Sequence, residues 1–203
     1  MRSRREWEEG FVQVRHHESR GSGMLITPIL RFLLPKDGPY PNLRPMLRAQ
    51  RTSAPKELPG GRFAIVASRY NAKYVDGMLR AAKAELAAAK VKHIEVVRVP
   101  GSFEIPVATA ALAWREEDRP EAIICLGLIW QGETTHAQHI GESVTTALMQ
   151  ISVDTGVPVI HQVLTIAKPE QAKARCLDPE TNRGTEGART ALDMARLFRQ
   201  LPQ

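Results

Sequence analysis

The alternation of apolar and polar positions changes character near residue 62. From there on, short uncharged runs alternate with segments whose apolar residues recur every three or four positions. Phe63–Ala67 is a β-rich run. Asn71 then precedes Val75, Met78, Leu79, Ala82 and Leu86, a helical spacing that the Asn71 side chain is suited to cap. Ile94–Val99 reads as a second strand, closed by Pro100-Gly101. Ser102 is expected to cap a helix from Glu104 to Trp114, with Glu104 in the first turn, where the helix dipole favours an acid. Ala122–Leu128 carries no charge, as expected of a strand buried on both faces. A helix Ala137–Val153 ending near Gly156, a strand Val157–Leu164, and a short helix from about Pro169 follow. A loop Asp178–Gly184 and a final helix to about Phe198 complete the pattern.

Strands alternating with helices at this spacing imply parallel pairing through right-handed crossovers. The expected fold class is α/β: a three-layer αβα sandwich on a four-stranded parallel sheet of flavodoxin-like order. Such sheets bind ligands beyond the carboxyl ends of their strands. The polar turns Ser68–Asn71, Pro100–Glu104 and Leu128–His136 all fall at that edge.

Residues 1–58 show no sustained period and carry Arg-rich and Pro-rich patches. They are expected to be an N-terminal extension, largely irregular and disordered, a leader, or the product of a start codon placed too early, with Met24 and Met46 as later candidates. Glu6, Glu8 and Glu9 weigh against a transit peptide. The apolar run Met24–Leu34 is interrupted by Pro28 and Arg31, and no run approaches the ~20 apolar residues of a membrane span. The expected division is an extension at 1–58 and a catalytic domain at 59–203.

Charge follows the same division. The net charge is +6, with 11 Lys/Arg against 6 Asp/Glu in residues 1–58 and 17 against 16 in residues 59–203. The excess therefore sits in the extension, and a nearly neutral body speaks against a nucleic-acid footprint. Cys125 falls inside the apolar strand and Cys176 in a polar turn, and the two show no pairing pattern, which fits a reducing, cytoplasmic compartment.

The segment Gly127 to His136 is the most informative one for chemistry. A buried strand breaks at a turn where Gly132 offers conformational freedom and Thr134 or Thr135 can cap the next helix. The first amides of that helix lack intrahelical partners and lie at its positive end, a natural seat for an anion. His136 falls in that first turn, and imidazole titrates near neutrality, so it suits proton transfer. His136, His139 and Glu142 drift around a helix and lack an evident fourth ligand, so no metal is expected. Tyr70, after the first strand, is either a plug at a strand end or a stacking surface. Gly101-Ser102-Phe103-Glu104 is either a cap with Phe103 in the core or a hydrogen-bonding turn for a planar ligand. Arg175 suits bidentate phosphate binding, and Lys168, Lys173 and Arg183 are rivals that spacing does not exclude. Phosphate-loop and dinucleotide-binding glycine motifs are absent from the sequence.

Arg69-Tyr70-Asn71, Val99 to Pro106, Gly132 to His136, Thr155 to Ile160 and Asn182-Arg183-Gly184, taken in order, resemble the 6,7-dimethyl-8-ribityllumazine synthase family. The likeness covers residues 62–198. It implies a transferase of riboflavin biosynthesis that needs no cofactor or metal. Its substrates are 5-amino-6-(ribitylamino)uracil and 3,4-dihydroxy-2-butanone 4-phosphate, which condense with loss of phosphate and water. By this resemblance Tyr70 stacks on the pyrimidinedione, while Ser102, Phe103, Glu104 and the segment Leu128, Ile129, Trp130 receive the aminouracil. Glu133 and Thr134 match the phosphate turn, Arg175 the arginine on the same phosphate, and His136 the histidine that moves protons. His161 stands where an aromatic from a neighbouring subunit walls the ring, and Trp130-Gln131 replaces a more usual aliphatic–basic pair. The resemblance further implies a homo-oligomer, a pentamer or a shell of twelve pentamers, with active sites between subunits and riboflavin synthase as a candidate partner. Two other readings share the pattern: a non-catalytic flavin- or lumazine-binding shell paralogue, and an archaeal-type riboflavin synthase.

Overall fold

The computed structural model describes residues 57–202. The expectations for residues 1–56 lie outside them. Four strands form one parallel sheet: β1 (Arg62–Ser68), β2 (His93–Val99), β3 (Ala122–Trp130) and β4 (Val159–Ile166), in the order β2-β1-β3-β4. The helices are α1 (Ala72–Ala88), α2 (Ile105–Ala113), α3 (His136–Thr155), α4 (Pro169–Cys176) and α5 (Arg183–Gln200). This is the expected α/β class and strand order.

The sequence pattern of the central strands follows from their position. Successive side chains leave a strand on opposite faces. Phe63, Ile65, Ala67, Ile124, Leu126 and Leu128 accordingly pack with Met78, Leu86 and Leu192 from α1 and α5. Ala64, Val66, Ile123, Cys125 and Ile129 face the opposite way, against Ile105, Leu112, Val144 and Leu148 from α2 and α3. Both faces are covered, so neither parity tolerates a charge. β1 and β3 are accordingly buried almost throughout, whereas the edge strand β2 is half-exposed. Ahead of β1, Leu58 packs into the first of these clusters, and its N–H donates to Ala89 O at 2.8 Å.

Each helix end shows how the layers are closed. Gly156, left-handed at φ 68°, terminates α3. Asn182 starts α5, accepting from Gly184 N–H at 2.8 Å, while its own Nδ2 donates to Cys176 O at 2.7 Å. A Cβ on Gly184 would lie 2.0 Å from Met78 O, so only glycine lets α5 approach α1 this closely. The Asn182-Arg183-Gly184 block thus clamps the end of α4 against α1. Cys176, expected in a polar turn, is instead fully buried in the last turn of α4, and the loop expected through Gly184 ends where α5 begins at Arg183. No helix among the described residues is long and apolar enough to cross a membrane.

Candidate active site

The two strands that follow β1 in the chain lie on opposite sides of it, β2 on one and β3 on the other, so the winding of the sheet reverses there. In open parallel sheets the crevice beyond such a reversal receives ligands. Here the crevice lies past the carboxyl ends of β1 and β3, and three of the expected ligand turns meet there.

Asn71, left-handed at φ 59°, spans the crevice. Its Nδ2 donates to Leu128 O at 2.8 Å, and its Oδ1 accepts from Trp130 Nε1 at 3.0 Å. It occupies the N-cap position of α1 but makes no side-chain cap bond, because the left-handed backbone turns the carboxamide across to β3 instead. Tyr70 N–H donates to Pro100 O at 3.0 Å, and Arg69 N–H to Val99 O at 2.8 Å, joining this turn to the end of β2. The Tyr70 side chain is 69% exposed and lies over Gly101, where a Cβ would stand 3.0 Å from its Cδ2. An aromatic this exposed is no core plug.

The Gly101–Glu104 turn is arranged differently from the expected cap. Glu104, at the N-cap position of α2, folds its Oε2 back to accept from Gly101 N–H at 2.9 Å. Ser102 is 8% exposed, sits above Gly127, and its hydroxyl makes no hydrogen bond among the described residues. Phe103 is 61% exposed, not in the core. Leu128 and Ile129 bury their side chains in opposite layers, so what they present to the crevice is backbone.

Past Trp130, Gln131 N–H still pairs with Ile166 O at 2.8 Å, after which residues 131–136 are exposed. Thr135 is the N-cap residue of α3 without a side-chain cap bond, and His136 is the first helical residue. The opening amides of a 20-residue helix are therefore left for a ligand or water. Gly132 does not use a positive φ here. Among the described residues Glu133, Thr134 and His136 make no side-chain hydrogen bond, so all three stay available beside those amides. Glu142 accepts from Gln138 Nε2 at 2.7 Å, and no group of three or more metal-ligating side chains occurs among the described residues.

The cationic candidates separate. Arg183 is committed to an ion pair with Glu186. Arg175, on the last turn of α4, makes no ion pair among the described residues. Within one chain Arg175 and His136 belong to different layers: α4 packs with α1 and α5, whereas α3 packs on the other face. His161 also lies apart from the crevice. It pairs with Cys125, roughly 10 Å back along the sheet from Leu128 at ~3.3 Å per residue. The Thr145 hydroxyl donates to Gly141 O at 2.7 Å, so its oxygen accepts from His161 Nε2–H at 3.0 Å. Partial desolvation beside α3 lowers the His161 pKa from its ordinary value although the residue stays exposed at the surface, favouring the neutral ring.

Two features of the site escaped the sequence. Arg98, paired with Asp76 at 2.5 Å, donates from Nη2 to Ser68 O at 3.0 Å and braces the turn beneath Tyr70. Trp130, expected only in the segment that receives the aminouracil, is also a hydrogen-bond donor to Asn71. Only the first had a possible signal, an arginine directly before the end of a strand that also carries Glu95.

Comparison with known proteins agrees with the motif reading. A family model described as 6,7-dimethyl-8-ribityllumazine synthase matches residues 60–199. A protein of that name from Stenotrophomonas maltophilia (strain R551-3) is 40% identical over 143 residues, covering 70% of this chain and 91% of the relative. Another from Xanthomonas oryzae pv. oryzae (strain PXO99A) is 39% identical over 146 residues, 71% of this chain and 94% of the relative. With the sheet order, the crevice turns and the helix N-terminus carrying His136 all in place, the chain belongs to the 6,7-dimethyl-8-ribityllumazine synthase family.

Proposed function

We propose that this chain condenses 5-amino-6-(ribitylamino)uracil with 3,4-dihydroxy-2-butanone 4-phosphate, giving 6,7-dimethyl-8-ribityllumazine, phosphate and water, as a transferase of riboflavin biosynthesis. One observation carries the reading. An exposed aromatic, an unbonded serine hydroxyl and the backbone end of β3 meet at the sheet's reversal point, and that strand runs directly into an uncapped helix N-terminus bearing His136. The family match supports the same activity and favours neither the shell paralogue nor the riboflavin synthase reading.

In this reading Tyr70 stacks on the pyrimidinedione. Ser102, Phe103, Glu104 and the backbone of Leu128, Ile129 and Trp130 receive its polar edge and ribityl chain. Glu133, Thr134 and the first amides of α3 hold the phosphate. Arg175 of a neighbouring copy grips that phosphate, and His161 of a neighbouring copy walls the ring, because neither reaches the crevice of its own chain. The amine attacks the ketone and water leaves to form an imine, phosphate is eliminated, and the second amine closes the ring onto the remaining carbonyl with loss of a second water, with His136 relaying protons. Holding two substrates in register supplies much of the acceleration, and His136 adds about 10²–10⁴-fold. The working form is a homo-oligomer, a pentamer or a 60-subunit shell, in the cytoplasm, with riboflavin synthase as the candidate consumer of the product. The catalytic unit is residues 59–203 together with Leu58, whose side chain joins its core, and the preceding residues are an extension.

The test is to mix both substrates with the full chain, and with a chain lacking residues 1–56, and follow the lumazine chromophore. Both proteins are expected to form it. No chromophore from the full chain would overturn the assignment.

A further inference from the structure

We propose that Trp130 is a positioning residue for the ring-binding half of this site, acting through Asn71 on the turn that carries Tyr70. The inference rests on the reading of Tyr70 as the stacking surface.

Tyr70 is too exposed to be placed by packing of its own side chain, so its position is set by the backbone of residues 69–71. Two anchors hold that backbone to β2: the N–H bonds to Val99 O and Pro100 O, and Arg98 Nη2 on Ser68 O. Towards β3, across the crevice that the substrate would enter, the anchor is the Asn71 carboxamide. Asn71 holds a left-handed backbone, a conformation that asparagine adopts more readily than most non-glycine residues, and its side-chain partners keep it there.

Those partners also fix which way round the amide sits. Leu128 O can only accept and the Trp130 indole N–H can only donate, so Nδ2 must face the first and Oδ1 the second. The indole is itself held edge-on to Tyr74 of α1, with ring centroids 5.8 Å apart and an interplanar angle of 79°. Without the indole donor the carboxamide keeps one partner and gains freedom to rotate away, and the Tyr70 turn loses part of its tie to β3. This chain's tryptophan in place of the family's usual aliphatic residue therefore braces the crevice rather than crowding it.

Trp130→Phe keeps an aromatic ring against Tyr74 and removes the donor, together with part of the ring area. Loss of one neutral hydrogen bond corresponds to about a two- to tenfold change in an equilibrium constant. The KM for the aminouracil and the Kd for 6,7-dimethyl-8-ribityllumazine, read from the ligand's own fluorescence, are both expected to rise within that range. The KM for the phosphate substrate and kcat stay at parental values, a split that general loss of structure would not produce. Asn71→Gly keeps the left-handed backbone without the side chain. Adding Trp130→Phe to it is expected to cause no further loss, since both act through one bond. Unchanged KM and Kd in a folded Trp130→Phe protein, or fully additive losses in the double variant, would overturn the proposal. So would a parental protein that neither binds lumazine nor forms it. A parental protein that binds lumazine without forming it would defeat the proposed reaction alone, and the Kd comparison would still decide the role of Trp130.

Discussion

Substitution of Gly127 by alanine tests whether the fold's core and the ligand crevice meet where the structure joins them. Gly127 lies in β3, paired with Val163 on β4. A Cβ there would stand 2.7 Å from Ser102 Oγ and 3.0 Å from both Ile105 Cδ1 and Val163 Cγ1. The strand cannot retreat without disturbing its pairing on both sides, so Ser102 and the start of α2 must yield. Overpacking of this kind costs about 1–3 kcal/mol, offset by about 0.5–1 kcal/mol because alanine suits a strand better than glycine. A net loss of about 1–2 kcal/mol lowers the Tm by roughly 3–8 °C for a domain of this size. Thermal melts at fixed protomer concentration measure this, since assembly would otherwise shift the midpoint. If the Ser102 hydroxyl bonds the aminouracil, its displacement raises that substrate's KM about two- to tenfold, the scale of one neutral hydrogen bond. The double variant Gly127→Ala/Ser102→Ala removes the nearest clash. It is expected to recover part of the Tm while the KM stays high. Parental Tm and KM in Gly127→Ala, or a double variant that regains parental KM without the hydroxyl, would refute the argument.

Further outcomes follow from the site and the core. His136→Ala is expected to slow turnover by about 10²–10⁴-fold yet leave measurable product, since positioning remains, and complete loss in a folded protein would contradict that weighting. Arg175→Ala is expected to raise the KM for the phosphate substrate at least tenfold, on the scale of about 1.5–3 kcal/mol for a charged hydrogen bond, while leaving the aminouracil KM unchanged in steady-state assays. Burial pushes the Cys125 thiol up to about 12, against the smaller opposing effect of its hydrogen bond with Thr109. An unfolded thiol titrates near 8.5, so above about pH 9 the unfolded chain releases a proton that the folded one keeps. Stability is therefore full below that pH and falls towards pH 12, by about 1.4 kcal/mol per pH unit for this group. Urea unfolding of the parent and of Cys125→Ala between pH 8 and 10.5 reads the difference. Parallel stability curves for the two proteins would exclude Cys125 as the cause.

What could be read along the chain was whatever depends on near neighbours. Uncharged runs such as Ala122–Leu128 marked strands covered on both faces, and the spacing of Val75, Met78, Ala82 and Leu86 marked the buried side of α1. Strand–helix alternation was enough for the class, and five short motif blocks in order were enough for the family. Tertiary contact decided the rest, because it joins residues far apart in the chain. Asn71 looked like a helix cap until its partners proved to be Leu128 and Trp130, 57 and 59 positions away. Cys176 read as part of a polar turn until α4 was laid against α1 and locked by Asn182. Gly127 and Gly184 each mark a place where another element comes closer than a methyl group allows, which no local pattern reveals. Local periodicity is a property of consecutive backbone angles. The convergence of a carboxamide, an indole and a carbonyl at the β1/β3 reversal depends on the path of the whole chain, and no single stretch of sequence contains it.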